Sequence, residues 1–113
     1  MENKSVVTAL AALAQDSRLA IFRLLVQTGP EGLSAGKIGE TLGIAPSSLS
    51  FHLKELTYAN LVSSRQESRF VIYAANFQTT NELIAFLTEN CCSGNHCFPK
   101  PFSERATIGE AST

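Results

Sequence analysis

The segment 34–56 places the tightest limit on the fold, because it contains two helical stretches joined by a turn of only a few residues. Ser34 is in position to cap a short helix, and Pro46 suits the first position of the helix that follows. Between them, Gly39 is small enough to let two helices approach closely, and Gly43 tolerates the left-handed conformation of a tight turn. The segment therefore predicts a helix-turn-helix.

The second helix of this pair has two faces. Four apolar residues are predicted to lock it onto the core: Ile44, Leu49, Leu53 and Leu56. On the opposite face Ser47, Phe51 and Lys54 recur at i, i+4 and i+7, with Ser50 beside them. Serine hydroxyls contact base edges and phosphates, and lysine neutralises a phosphate. We predict that this face enters a DNA major groove; a polar face that is merely solvated is the alternative.

A β-hairpin is predicted directly after the helix-turn-helix. Residues 61–75 have β-forming side chains on both sides of a polar centre at 66–68. A hairpin in this place makes a wing. Arg65 and Arg69 flank its tip, where they are predicted to reach the DNA backbone or the minor groove. Helix and wing together favour DNA contact more strongly than either pattern alone.

Two further helices are predicted ahead of this segment. The first carries a stripe of apolar residues at Val6, Leu10 and Leu13 and ends near Gln15. Asp16 is the predicted N-cap of the second helix. That helix is apolar on nearly all sides, which predicts the buried central helix of the domain.

A fifth helix is predicted after the hairpin. Asn76 can cap it, and it continues to about Asn90 with an apolar stripe that is wide for the surface helix of a monomer. The element order is then ααααββα. This order predicts a mainly α chain with a small β-hairpin, arranged as a winged helix-turn-helix.

All three cysteines lie within seven residues at the end of this fifth helix: Cys91, Cys92 and Cys97. Thiolates are the ligands that soft ions prefer, and clustered thiols also suit redox chemistry. Gly94 and Asn95 between them supply a turn. Adjacent cysteines in a regular helix would point about 100° apart, so the site is predicted at or beyond the helix end.

The composition limits the class of protein. Three bunched cysteines are too few for a disulfide framework, and the first residues lack the pattern of a signal peptide, so a reducing cytoplasm is the expectation. No apolar run is long enough to span a bilayer. The net charge of -1 leaves the case for DNA to local pattern. There is no nucleotide loop and no Cys-x-x-Cys motif, so an enzyme is weakly supported.

Three strings of residues carry a resemblance to a known family: Asp16-Ser17-Arg18-Leu19, the recognition-helix string Ser-Ser-Leu-Ser-Phe-His-Leu-Lys-Glu-Leu at 47–56, and the wing at 61–73. Over residues 5–90 the chain resembles the ArsR/SmtB family of winged-helix metal-responsive repressors. The resemblance implies a homodimer formed by the first and last helices. It also implies a palindromic DNA operator that is released when a metal or metalloid binds. It adds Ser48 and His52 to the residues that pack or face DNA on the recognition helix.

The sequence departs from the family in three places. The third helix, 34–42, lacks the Cys-x-Cys pair of many arsenic repressors. Ala45 stands where a capping serine or threonine is common, and Ser68 stands where the wing tip usually has glycine. The remaining pattern is similar to arsenite sensors whose cysteines follow the fifth helix. That similarity implies that Cys91, Cys92 and Cys97 bind trivalent arsenic.

Arsenite is the expected inducer because trivalent arsenic has three pyramidal bonding directions, which three thiolates satisfy. Antimonite follows the same valence logic. Zinc prefers four tetrahedral ligands, with His96 as the possible fourth. The alternatives to arsenite sensing are a zinc- or cadmium-responsive repressor and a redox-switched repressor.

The expected organisation has three parts. Residues 1–90 form the winged helix-turn-helix domain for DNA binding and dimerisation, and residues 91–97 form the cysteine-rich ligand-binding segment. Residues 98–113, with prolines and small polar residues, are predicted to be a flexible tail.

Overall fold

The computed structural model of the chain describes residues 1–94. Its helices are α1 Asn3–Leu13, α2 Asp16–Thr28, α3 Ala35–Leu42, α4 Pro46–Tyr58 and α5 Phe77–Leu87. Its strands are β1 Leu33–Ser34, β2 Val62–Glu67 and β3 Phe70–Ala75. The predicted order ααααββα is confirmed, with β1 as an addition. The predictions for His96, Cys97 and residues 98–113 lie outside the described residues.

The three strands form one antiparallel sheet in the order β1-β3-β2. Strand β1 pairs Leu33 with Tyr73 of β3, and two residues are too few to show the alternation that predicts a strand. The wing is formed by β2 and β3, whose last pair is Glu67 with Phe70. The turn between them therefore consists of Ser68 and Arg69, at the late end of the predicted polar centre 66–68, and Ser68 has a φ of +56°.

The core lies between the inner faces of the helices and the base of the wing. Fully buried side chains include Ile21, Leu25, Ile38, Leu56, Leu61 and Val62. Helix α2 is buried on one face only, since Leu19 and Val26 are exposed, so the prediction of a helix buried on nearly all sides is wrong. None of the helices between residues 1 and 94 combines the length and the apolar character needed to cross a bilayer.

Helix α1 buries a different stripe from the predicted one. Val6, Ala9 and Ala12 face the core, whereas Leu10 is 42% exposed and Val7 is 63% exposed. Small alanines let α1 lie close to its neighbours, because they fill little space. Leu10, a member of the predicted apolar stripe, therefore lies outside the buried face, and α1 has a second apolar face that this protomer does not cover.

Side-chain caps begin three of the helices. The Ser34 hydroxyl accepts from the Lys37 amide at 3.2 Å, and the Asn76 side chain accepts from the Thr79 amide at 3.1 Å, as predicted. For α2 the cap is Gln15 rather than Asp16: its Oε1 accepts from the Arg18 amide at 2.9 Å. Asp16 is instead the first helical residue, where its negative charge interacts favourably with the positive end of the helix dipole.

Helix α4 has no side-chain cap. Ala45 has the extended conformation of an N-cap, with φ -65° and ψ 146°, but no side-chain oxygen. Replacing Ala45 with serine is expected to stabilise the protein by about 1 kcal/mol, because serine accepts from an otherwise unsatisfied amide of the first turn. Urea denaturation measures the change. Ala45→Val alters the side chain without adding an acceptor, and an equal gain in that variant would show that capping is not the cause.

Candidate nucleic-acid interface and thiol cluster

The turn between α3 and α4 holds the two helices at close range. A Cβ on Gly39 would lie 3.0 Å from the Ile44 carbonyl oxygen and 3.2 Å from Leu49 Cδ2. The Ile44 amide donates to the Gly39 carbonyl at 3.0 Å, and Gly43 takes the left-handed conformation at φ +68°. Both glycines have the predicted roles, so α4 is presented on a rigid turn.

Helix α4 has the two faces that the sequence predicts, one buried and apolar and one exposed and mostly polar. Leu49, Leu53 and Leu56 are buried. The opposite, solvent-exposed residues are Ser47, Ser48, Ser50, Phe51 and Lys54. Phe51 on this face is 55% exposed. Hydroxyls, an ammonium group and an aromatic ring on one helix can contact phosphates, base edges and thymine methyl groups.

His52 is positioned differently from these residues. It is half-buried, and its Nδ1 lies 3.3 Å from Nη1 of Arg18 on α2. A guanidinium has no acceptor, so Arg18 is the donor in this contact and Nδ1 the acceptor. Arg18 also donates through Nε to the Ala12 carbonyl at 2.7 Å. Of the two predicted roles for His52, the structure favours packing, and it links the recognition helix to the end of α1.

The two wing arginines have different surroundings. Arg65 donates to Glu67 Oε2 and to the Glu31 carbonyl, both at 2.7 Å, so its guanidinium lies over the loop before β1 rather than at the wing tip. Arg65 therefore does not flank the wing tip as predicted, and its contact with DNA stays a prediction. Arg69 lies in the two-residue turn and is exposed. Arg69 remains the wing cation that is available to a phosphate.

The adjacent cysteines lie just beyond α5. The Cys91 amide donates to the Thr88 carbonyl at 3.1 Å, and Asn90, Cys92 and Ser93 have φ values of +58°, +54° and +57°. These left-handed residues bring Cys91 Sγ to 3.8 Å from Cys92 Sγ. The two cysteines therefore lie beyond the end of α5, where the sequence analysis places them. Within residues 1–94 no group of three cysteine, histidine or acidic side chains is placed to hold a metal ion.

Helices α1 and α5 share one further property. Both have large apolar side chains that the protomer leaves uncovered: Val7, Leu10, Ile84 and Leu87. On α5 the buried Leu83 faces the core, while Ile84 is 46% exposed and Leu87 is 57% exposed. An apolar surface of this kind marks a protein contact. It agrees with the predicted wide stripe on the fifth helix.

Comparisons with known sequences match the same region. A helix-turn-helix domain family matches residues 13–65. The HTH-type transcriptional regulator YceK of Bacillus subtilis strain 168 is 45% identical over 58 residues, which is 51% of this chain and 57% of YceK. The alignment therefore covers little more than half of YceK. These matches are to a helix-turn-helix domain and to a transcriptional regulator, and neither is to an enzyme.

Solved structures extend the match to most of the chain. HlyU from Vibrio cholerae N16961 is 31% identical, with a TM-score of 0.63 over 81% of this chain and 99% of HlyU. The homodimeric winged helix-turn-helix DNA-binding domain Mb0332 from Mycobacterium bovis, a possible ArsR-family regulator, shares the fold. It has 21% identity and a TM-score of 0.64 over 97% of this chain and 88% of the domain. The chain belongs to the ArsR family of winged helix-turn-helix transcriptional regulators.

Proposed function

We propose that the protein is a cytoplasmic, homodimeric repressor that binds a palindromic operator and releases it when trivalent arsenic binds Cys91, Cys92 and Cys97. The observation that carries the proposal is the 3.8 Å separation of the first two sulfurs, directly after a helix with an uncovered apolar face. Cys97 is the proposed third ligand and lies beyond the described residues.

The DNA-binding part of the proposal is supported by the exposed face of α4. Ser50, Phe51 and Lys54 project from the side opposite the buried leucines, and Arg69 lies on the following wing. A recognition helix of this kind reads base edges in the major groove, while the wing contacts the adjacent backbone. Lys54 and Arg69 are few cations for a DNA-binding surface, so we expect a modest salt dependence for each subunit.

The dimer is supported by the uncovered residues of α1 and α5. Val7 and Leu10 on α1 and Ile84 and Leu87 on α5 are apolar and exposed. Burying such side chains against a second copy is favourable by about 25 cal/mol for each Å² of apolar surface removed from water. The M. bovis relative, whose fold this chain shares, is homodimeric. Two recognition helices then engage two half-sites about 34 Å apart.

The ligand part of the proposal rests on sulfur geometry. Two thiolates that bind one tetrahedral ion with bonds of about 2.3 Å lie roughly 3.8 Å apart. The Cys91–Cys92 distance matches such a chelate, which forms after the disulfide of Cys92 is reduced to a thiolate. Trivalent arsenic needs only one more thiolate, because its lone pair occupies the remaining direction, and antimonite follows the same logic. Cys92 and Ser93 are exposed, so the ion has access from solvent.

Release of DNA requires coupling between the two sites. Arsenite must bind the DNA-incompetent conformation more tightly than the DNA-bound one, typically by about 1–3 kcal/mol, and DNA must weaken arsenite binding by the same factor. Helix α5 is the proposed connection, because the cysteine turn follows its end and its apolar face is the proposed dimer contact. A shift in that contact would change the spacing of the recognition helices.

The test is a titration of the reduced protein on a duplex from the region upstream of its gene, with arsenite, antimonite, zinc and cadmium in parallel. Cys92→Ser is expected to bind the duplex within about twofold of wild type and to lose arsenite-induced release, since one of three ligands is missing. Ser93→Ala, next in sequence, is the matched control and should still be released. Release of Cys92→Ser at wild-type arsenite concentrations would contradict the three-thiolate model.

A redox-switched repressor is the second candidate, because Cys92 is disulfide-bonded whereas Cys91 is a free thiol. Peroxide would then release DNA from the reduced protein, and arsenite would not. A zinc- or cadmium-responsive repressor requires a fourth ligand such as His96, and it would respond to those ions at lower concentrations than to arsenite. The same titration, with peroxide added as a further arm, therefore separates all three functions.

A further inference from the structure

The guanidinium of Arg65 makes contacts on three sides. Its Nε donates to Glu67 Oε2 at 2.7 Å on the same strand. Its Nη2 donates to the Glu31 carbonyl at 2.7 Å, and its Nη1 donates to the Pro30 carbonyl at 3.4 Å. All three nitrogens therefore face acceptors of the protein. The fork geometry matters, because lysine offers a point charge and cannot reach two carbonyls and a carboxylate at once.

These contacts cross the width of the sheet. Arg65 lies on the outer strand β2 opposite Ile72 of β3, and Ile72 is paired on its other side with Ser34 of β1. Glu31 belongs to the loop that precedes β1. The side chain of Arg65 therefore reaches past the central strand and ties the wing to the chain segment that leads into the helix-turn-helix.

The loop that receives Arg65 is itself held in place. The Gly32 amide donates to the Gly29 carbonyl at 3.2 Å, which closes a turn around Pro30 and Glu31. Gly32 has a φ of +69° and lies against the Tyr73 carbonyl of β3. Carbonyls on a loop with so little freedom are suitable anchors for a side chain, because ordering them requires little further loss of entropy.

The surroundings of Arg65 and Arg69 differ in charge as well. The Glu67 carboxylate offsets the charge of Arg65 and would repel a phosphate that approached it. Arg69 makes no hydrogen bond or ion pair with any residue in the part of the chain that the structure describes. It lies at the wing turn, after Glu67, the last paired residue of β2. Its charge is therefore available to a phosphate, and that of Arg65 is not.

We propose that Arg65 is a positioning residue that orients the wing so that Arg69 contacts a DNA phosphate, and that Arg65 does not itself bind DNA. The inference rests on the proposed DNA-binding function. Arg65 acts through its fork of hydrogen bonds to the loop before β1. Without that fork the wing swings away from the recognition helix, and Arg69 no longer reaches the phosphate.

The test uses the full chain and a duplex from the region upstream of its gene. Arg65→Lys keeps the charge, yet it should weaken binding roughly tenfold. Arg69→Lys should bind like wild type, because a phosphate needs only a nearby cation. Arg69→Gln should weaken DNA binding. The double variant with Arg65→Lys and Arg69→Gln should bind less than about twofold more weakly than Arg69→Gln alone, because both changes remove the same contact.

Salt dependence supplies a readout that a merely structural role would not move. Removing one phosphate contact lowers the slope of log K against log salt by about 0.9, and Arg65→Lys should show this fall although its net charge is unchanged. Its thermal midpoint should stay close to wild type, since exposed ion pairs contribute little to stability. The positioning role is overturned if Arg65→Lys binds DNA as tightly as the wild type. It is also overturned if the double variant loses affinity by the product of the two single losses. Absence of specific binding by the wild type instead overturns the proposed function as a whole.

Discussion

Replacing Gly32 with alanine is expected to lower the free energy of unfolding by roughly 3 kcal/mol or more. An added Cβ would lie 2.4 Å from the Tyr73 carbonyl oxygen and 3.0 Å from Ile72 Cγ2. The first of these contacts is with backbone in the central strand, which cannot move without disturbing the sheet. The φ of +69° adds strain of its own, about 1–2 kcal/mol for a residue with a Cβ.

Gly36→Ala is the matched control for this change. Gly36 lies on the exposed side of α3, and an added Cβ meets nothing within 4 Å. Alanine has the higher helix propensity, so this variant should be unchanged or more stable by up to about 1 kcal/mol. Urea denaturation of both variants gives the comparison. Equal midpoints for Gly32→Ala and wild type would show that β1 and β3 are not held at the described distance.

Replacing Ile84 with glutamate is expected to convert the proposed dimer into a folded monomer and to weaken operator binding by about a hundredfold or more. The side chain is 46% exposed in the protomer, so the charge does not enter the core. In a dimer built on α1 and α5 the same charge would be buried without a partner, which is strongly unfavourable. A monomer engages one half-site at a time and loses the gain from linked binding, roughly 10²–10⁴-fold.

Ala85→Glu is the control on the same helix. It adds the same charge to the next residue, about 100° around the helix axis and away from the apolar stripe. Ala85 is exposed, so this variant should remain a dimer and bind the operator normally. Sedimentation velocity measures the assembly state, and circular dichroism checks that both variants are folded. If Ile84→Glu stays dimeric with wild-type affinity, the dimer uses another surface.

The parts of the fold that follow local rules could be predicted from the sequence. Ser34 and Asn76 cap their helices, and Gly43 takes a positive φ, because these roles depend on a few neighbouring residues. The one-residue error at α2 has a simple origin. Gln15 and Asp16 both carry a side-chain acceptor, and only the backbone conformation decides which of them caps the helix.

Contacts between distant residues could not be predicted in this way. Arg65 meets the Glu31 carbonyl across 34 positions of sequence, and Arg18 meets His52 across the same separation. Neither pair has a local signature, because an arginine on a strand looks the same whether it faces DNA or a loop carbonyl. The close contact between Gly32 and the Tyr73 carbonyl could not be predicted either. A glycine shortly after Gly29-Pro30 indicates only a turn.

The exposure of Leu10 could not be predicted for a different reason. Periodicity identifies apolar positions on α1, but it does not distinguish a side chain that faces the protomer core from one that faces a second protein. Val6 and Leu10 are both apolar, yet only Val6 is buried. The sequence signal for an interface is an apolar surface wider than one core contact requires, and that signal is visible on α5 and not on α1.

Helix α5 is held to its own protomer by few side chains, since only Thr79 and Leu83 of this helix are buried. In such a helix, amide hydrogens exchange with solvent through local opening, whose free energy lies well below that of global unfolding. The turn that brings Cys91 and Cys92 together follows directly. If a ligand binds this turn as proposed, it would act on an element that its own protomer holds by few contacts, so the proposed dimer contact would supply most of the free energy that keeps α5 in place.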